Sequence, residues 1–305
     1  MSPTLRIGTR ASKLARTQAE MLAMALQRVN PMLQIETVPM TTAGDKELHK
    51  DLTDWGYKGL FTKELEDALL AGTIDVAVHS MKDMPSVLPD GLMLGAMLPR
   101  ADVRDAWVSP LYATIEDLPQ GATVGSSSAR RVAQLLHKRP DVKIVPLRGN
   151  VETRLKKLED KVADATFLAA AGLTRLGMKD KIRSYIPVET LLPAVAQGAI
   201  GIECKTGRVD LRALLALIDD SPTSTCVNAE RAMLHVLDGS CRTPIGGLAT
   251  LEGRTMTIRG EVLSLDGRIC HRHQLVGDAG EANALGTALG KQLRQMAGEE
   301  LLKNV

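Results

Sequence analysis

Cys241 lies in the run Gly239-Ser240-Cys241-Arg242-Thr243-Pro244-Ile245-Gly246. The thiol is bracketed by glycines, followed by an arginine and stiffened by a proline. A constrained loop beside a positive charge favours the thiolate, the form that attacks carbon or carries a covalent group. A cysteine can equally be a small apolar core residue. A second reactive candidate is Asp83 in His79-Ser80-Met81-Lys82-Asp83-Met84-Pro85, where the apolar run Ile74 to His79 empties into a polar turn. A carboxylate at a strand end can act as a general acid or base. The same position also suits a turn residue that bonds its own backbone.

Cations and hydroxyls gather at other predicted strand ends. Gly8-Thr9-Arg10-Ala11-Ser12 places an arginine before a helix start, with Ser12 as N-cap. Gly125-Ser126-Ser127-Ser128-Ala129-Arg130-Arg131 offers three hydroxyls and free backbone N–H groups at another helix start. Such a start attracts an anion. Arg130 and Arg131 oppose the helix macrodipole there, a conflict that a bound anion resolves; three serines also make an ordinary polar turn. Leu147-Arg148-Gly149-Asn150 ends a strand, Arg154 follows about two turns into a helix, and Arg175 follows the next strand. Lys58 opens a helix at Lys58-Gly59-Leu60-Phe61. In open α/β sheets ligands sit at the carboxyl ends of strands, and guanidinium forks match carboxylates.

The elements that must position these residues alternate in type. Leu5 to Thr9 reads as a strand, Ser12 to Val29 as a helix and Gln34 to Met40 as a strand. Phe61 to Leu70 is an amphipathic helix, and Ile74 to His79 has the continuous apolar pattern of a buried parallel strand. A second unit repeats the alternation, with strands at Ala122 to Gly125, Lys143 to Leu147 and Ala165 to Ala169 and helices between them. The spacing predicts α/β sheets covered on both faces. Gly198 to Cys204 reads as a strand returning to the first sheet, and Leu98 to Asp102 as a crossing segment. From Ser221 onward a helix, the Cys241 loop, three strands and a last helix predict a small α+β domain. The expected boundaries are 1–98 with 199–216, 104–192, and 221–305.

The chain has 305 residues, 44% hydrophobic and 24% charged, a folded globular composition. The net charge is +2, so anion binding must come from local arginine clusters. Aromatics are 2%, which supplies few platforms for stacking bases and argues against a nucleic-acid partner. No apolar run is long enough to span a bilayer and the N-terminus lacks signal-peptide character, so a cytoplasmic protein without a membrane partner is expected. The four cysteines form no Cys-x-x-Cys pair and no histidine stands at zinc-ligand spacing, so no metal is expected.

Taken in order, the motifs Ile7-Gly8-Thr9-Arg10, Lys58-Gly59-Leu60-Phe61, Val78-His79-Ser80-Met81-Lys82-Asp83, Gly125-Ser126-Ser127-Ser128, Arg130-Arg131, Leu147-Arg148-Gly149-Asn150, Leu192-Pro193-Ala194-Val195-Ala196-Gln197-Gly198 and the Cys241 loop resemble the porphobilinogen deaminase family, also called hydroxymethylbilane synthases. The resemblance covers nearly the whole chain. It implies two α/β domains like those of periplasmic binding proteins, with a cleft between them, and a third, small α+β domain. It implies a transferase of tetrapyrrole biosynthesis that joins four porphobilinogen molecules head to tail with loss of ammonia. The primer would be a dipyrromethane cofactor bound through a thioether to Cys241, and the product hydroxymethylbilane.

By the same resemblance Asp83 is the catalytic carboxylate. Ser80, Lys82, Asp83, Ser126, Ser127, Ser128, Arg130, Arg131 and Arg148 would hold the cofactor. Arg10, Ser12, Lys58, Arg148, Arg154, Arg175 and Gln197 would hold substrate. Each pyrrole brings two carboxylates, so a growing chain needs many fixed cations. The chain departs from the family pattern at Tyr57, commonly glycine, and more mildly at Ser126, Ala129 and Ala196. Nothing in the sequence requires more than a monomer. Two other readings arise from the residues alone: a two-domain anion-binding receptor without chemistry, and a cysteine acyltransferase with His235 as base.

Overall fold

The computed structural model describes residues 4–46, 61–238 and 243–303. In chain order the first elements are β1 (Leu5–Arg10), α1 (Lys13–Val29), β2 (Ile35–Met40), α2 (Ala43–Lys46), α3 (Lys63–Ala71), β3 (Val76–Ser80) and β4 (Leu92–Leu98). There follow β5 (Asp105–Val108), β6 (Thr123–Gly125), α4 (Ala129–Lys138), β7 (Lys143–Val145), α5 (Val151–Glu159), β8 (Ala165–Ala169), α6 (Ala170–Arg175) and β9 (Ser184–Tyr185). The chain continues through β10 (Ile200–Lys205), α7 (Val209–Ala216), α8 (Ser221–Val236), β11 (Ile245–Glu252), β12 (Thr255–Leu263), β13 (Cys270–Asp278) and α9 (Ala282–Lys303).

These elements form two compact units, residues 1–101 with 199–224, and residues 102–198 with 225–305. The first holds a five-stranded sheet of order β2-β1-β3-β10-β4. Its first three strands are parallel, and β10 runs antiparallel between β3 and β4. The second holds a sheet of order β7-β6-β8-β5-β9, again with three parallel strands and then an antiparallel one, β5. The two sheets share one plan. In each, the antiparallel strand directly follows a crossing between the units, at 198/199 for β10 and at 101/102 for β5.

Both sheets bury apolar residues on both faces, the α/β pattern expected from the sequence. In the first, Ile7, Leu22, Leu26 and Ile202 pack on one side, and Leu65, Leu69, Ile74 and Ala77 on the other. In the second, Trp107 meets Phe167 edge-on at 5.1 Å within one layer, while Val108, Leu155, Leu168 and Leu173 fill the opposite layer. The sequence reading lacks β4, β5, β9, α2, α6 and α7. The β4 run Leu92-Met93-Leu94-Gly95-Ala96-Met97-Leu98 has no β-branched residue, and β5 starts on a buried aspartate. β4 carries little strand propensity of its own and β5 only Trp107 and Val108; both are strands because a sheet neighbour supplies the hydrogen bonds.

The C-terminal part is α+β, an antiparallel sheet β11-β12-β13 with α9 packed on β12 and β13. Cys241 stands between α8 and β11, at a position outside the described residues. The two helices of this part approach through glycines. A Cβ on Gly286 would strike the carbonyl oxygen of Ala229, and one on Gly290 would lie 2.8 Å from that of Met233. An alanine gains roughly 1 kcal/mol of helix propensity over glycine. Here the clash is with backbone, which cannot swing aside, so overpacking outweighs that gain. Gly286→Ala is expected to destabilise by about 1–3 kcal/mol in denaturant unfolding. An unchanged or raised stability would mean that α8 and α9 do not touch there.

Candidate active site

In the first unit the candidates collect around the ends of β1 and β3. Arg10 ends β1, and its guanidinium stacks over the Phe61 ring, 4.3 Å from the centroid. Ser12 caps α1 as expected, its Oγ accepting from the Ala15 N–H at 3.3 Å. Ser80 ends β3 and exchanges hydrogen bonds with Gln18, which donates from Nε2 at 2.8 Å and accepts at Oε1 at 3.2 Å. Gln18 is 2% exposed on the apolar stripe of α1, between Ala15, Ala19 and Leu22. The sequence reading passed over it; its only signal is a polar residue at a core position of the helical period.

After β3 the chain makes one 3₁₀ turn, Met81–Asp83. The Met81 side chain is buried over Gly201, where a Cβ would overlap its sulfur. The Met81 N–H also donates to the Ala199 carbonyl at 3.1 Å. β10 therefore anchors the turn while Lys82 stays half-buried and Asp83 exposed. The Asp83 carboxylate has no hydrogen-bond or ion-pair partner among the described residues. Arg10, Ser12, Gln18, Ser80 and Asp83 line one pocket. Lys58 lies outside the described residues.

In the second unit β6 delivers Ser126, Ser127 and Ser128 to the start of α4. The Ser126 Oγ accepts from the Ser128 N–H at 3.2 Å, and the Ser127 Oγ accepts from the Leu147 N–H at 3.1 Å. Ser128 occupies the N-cap position but its side chain caps nothing. All three O–H groups remain available as donors among the described residues, beside uncapped N–H groups of a helix start.

Arg130 and Arg131 do not point to that helix start. Both turn inward, 5% and 6% exposed, onto Asp105, which is fully buried on β5. Arg130 Nη2 donates to one carboxylate oxygen at 2.8 Å, and Arg131 Nη2 to the other at 2.6 Å. Arg130 also reaches the Leu192 carbonyl at 2.7 Å and Arg131 the Phe167 carbonyl at 3.0 Å. The conflict with the helix dipole is thus met by the protein's own aspartate. Gln197 joins the same network, donating to the Val103 carbonyl at 2.8 Å and to Asp105 at 3.1 Å. Burial alone would raise the Asp105 carboxyl, but the two guanidiniums outweigh it and hold it far below the usual range.

Arg148 is half-buried after β7, and its carbonyl accepts from Lys157 Nζ at 3.2 Å. Arg154 is half-buried on α5, its Nε donating to the Gly149 carbonyl at 2.8 Å. Arg175 ends α6, with Nη2 on the Gly198 carbonyl at 2.7 Å and a buried, unpaired Nε. It meets no carboxylate among the described residues, and burial lowers its pKa to about 10. The second unit thus holds two guanidiniums on one aspartate and a third on a carbonyl. His235 is exposed on α8. No three histidine, cysteine or acidic side chains are placed so that they could hold a metal ion among the described residues.

Asp105→Asn leaves two buried guanidiniums without their carboxylate. The expected loss is about 3–5 kcal/mol of stability at neutral pH, read by urea unfolding. Because the native pKa is depressed, the aspartate's contribution is complete above about pH 4 and fades as pH falls towards the native value. A loss below about 1 kcal/mol would contradict the network.

Comparison with known proteins agrees along the chain. Residues 5–213 match the family described as "Porphobilinogen deaminase, dipyromethane cofactor binding domain", and residues 224–295 "Porphobilinogen deaminase, C-terminal domain". The chain is 52% identical over 295 residues to the porphobilinogen deaminase of Paracoccus denitrificans, spanning 96% of this chain and 94% of that protein. It is 48% identical over 301 residues to that of Syntrophotalea carbinolica, spanning 99% and 96%. Among solved structures, a TRAP periplasmic solute binding protein from Desulfovibrio salexigens aligns at 13% identity with a TM-score of 0.45, over 73% of each chain.

Proposed function

The chain belongs to the porphobilinogen deaminase family, and from that premise we propose how its own residues divide the work. Cys241 anchors the family's dipyrromethane, the arginines and serines hold carboxylates, and Asp83 moves protons. The enzyme joins porphobilinogen units head to tail, releasing ammonia and then hydroxymethylbilane for tetrapyrrole biosynthesis. The dipyrromethane, when bound, supplies the covalent primer to which the first unit is added.

The observation that carries the assignment is a set of buried cations with few direct carboxylate partners. Arg130 and Arg131 share one carboxylate, and Arg175 has a carbonyl but no carboxylate among the described residues. Ser126, Ser127 and Ser128 add O–H donors that no described group accepts. A carboxylate-bearing pyrrole fits this donor set, since charge-assisted bonds repay the desolvation of each guanidinium. Arg148 and Arg154 extend the same set, and Arg131, fixed through Asp105, keeps the α4 start rigid. Gln197, tied to Val103 and Asp105, holds the chain next to Gly198, the carbonyl that orients Arg175.

In the first unit Arg10, Ser12, Lys58, Ser80 and Lys82 orient substrate carboxylates about the turn that presents Asp83. An unpaired carboxylate facing a pocket can stabilise positive charge on the pyrrole nitrogen as ammonia leaves, and can take up the proton lost at each coupling. The three sheets are taken as the bodies of three domains, 1–98 with 199–216, 104–192 and 221–305. The enzyme is taken as a cytoplasmic monomer without a nucleic-acid partner; no described helix is long and apolar enough to cross a membrane.

Intact-mass measurement is expected to find the wild-type chain heavier than its sequence by one dipyrromethane, and Cys241→Ala at its sequence mass. An unmodified wild-type chain from cells that make porphobilinogen would contradict the anchor. Asp83→Ala is expected to keep the added mass while turnover falls at least about a hundredfold. Near-normal turnover would remove Asp83 from the assigned role.

A further inference from the structure

Beneath the Asp83 turn the fold buries three titratable side chains from three elements. His79 on β3 and Glu203 on β10 have side chains 4% and 0% exposed, and His79 Nε2 lies 3.0 Å from Glu203 Oε2. Glu66 on α3, 6% exposed, lies near enough to feel the charge of both. Burial pushes the Glu66 carboxyl up; the Thr62 hydroxyl and the charge on His79 oppose this, while Glu203 and Asp67 add to it. Glu203 Oε1 and Glu66 Oε1 are both buried without a hydrogen-bond partner.

Holding the strands together does not require this cluster. β3 and β10 are already joined from Ser80↔Ile200 to Val76↔Cys204. Apolar residues of similar volume serve a core as well as a buried ion pair or better. Two orphaned carboxylate oxygens are the opposite of a satisfied structural network.

The ring also has a second end. With Nε2 on Glu203, His79 Nδ1 has no partner among the described residues, and His79 lines the same pocket as Arg10, Ser80 and Asp83. The remaining groups around it on α1 and β3, Gln18 and Ser80, are neutral and bonded to each other. An imidazole with one nitrogen at a pocket and the other on a buried carboxylate is built to pass a proton between them.

We propose that His79, oriented by Glu203, passes protons between the Asp83 pocket and a buried store made by Glu203 and Glu66. The proposal rests on the assignment of that pocket to the reaction. Each head-to-tail coupling forms one carbon–carbon bond and breaks one carbon–nitrogen and one carbon–hydrogen bond. Nitrogen departs as ammonia and hydrogen as a proton, which the ammonia ultimately carries away. Asp83 can hold that proton only until the next unit arrives. Transfer through His79 to the buried carboxylates empties Asp83, and the reverse transfer returns the proton to the ammonia that departs from the next unit. No oxidant or further reactant is needed. His79 and the two glutamates act through Asp83 and are positioning residues.

The test uses holoenzyme with ¹⁵N-labelled histidine, and the variants Glu66→Gln, Glu203→Gln and His79→Gln. The last identifies the His79 signal. Loss of either carboxylate is expected to change the His79 ¹⁵N shifts from those of the wild type. The pH profile of kcat/KM should change with them, with turnover down at least about tenfold, and with cofactor mass and unfolding midpoint retained in Glu66→Gln. Glu66→Gln touches neither strand pairing nor Nε2 and keeps the test open should Glu203→Gln fail to fold. A folded, loaded Glu66→Gln enzyme with the wild-type pH profile and unchanged His79 ¹⁵N shifts overturns the relay. Normal turnover by Asp83→Ala overturns the underlying pocket assignment instead, so the two failures are told apart.

Discussion

Asp105 is fully buried and carries two guanidiniums at once, and much of the second unit is arranged around that fact. Asp105 alone touches both arginines, and the buried carboxylate of Glu261 adds a second negative charge that acts on Arg130. Arg130 and Arg131 leave α4 to reach it, and Gln197 arrives from the chain next to the return crossing. Leu192, Phe167 and Val103 each give a backbone carbonyl to the same network. The start of α4 is thereby emptied of side-chain partners, leaving Ser126, Ser127 and Ser128 with hydroxyl donors to offer. An excess of fixed cation suits ligands that bring two carboxylates per ring.

The first unit solves a different problem. It must present one carboxylate unpaired at the end of a buried strand. The solution is mechanical: Gly201 leaves room for the Met81 side chain, and the Ala199 carbonyl takes the Met81 N–H. Both contacts come from the beginning of β10, the strand that follows the return crossing. The same strand contributes Glu203 to the buried cluster below. The Asp83 turn and the buried His79–Glu203 pair therefore share one sheet, and both are tied to β10.

How much of this was legible in the sequence depends on range. The α/β alternation was legible because β3 and β8 are largely apolar runs that follow amphipathic helices. The Ser12 cap, the Ser126–Ser128 helix start and the strand-end position of Arg148 were legible because caps and turns are local. What Arg130 and Arg131 bind was not, since Asp105 stands 25 and 26 residues earlier and is drawn to them only by the sheet. The His79–Glu203 pair spans 124 residues, and nothing local marks it. Gln18 left a faint trace, a polar side chain on an apolar stripe. β4 and β5 left none, because they borrow their strand character from neighbours.

The central claim is that a pyrrole chain grows on Cys241 while fixed cations hold its carboxylates. Mass mapping of holoenzyme stalled with limiting porphobilinogen tests this most directly. Trypsin cuts after Arg231 and Arg242 and isolates Cys241 in the peptide Ala232–Arg242. The expected result is that this one peptide carries the cofactor mass plus a ladder of whole pyrrole units, ending at four. An unmodified peptide Ala232–Arg242 in active enzyme, or a ladder on any other peptide, would contradict it.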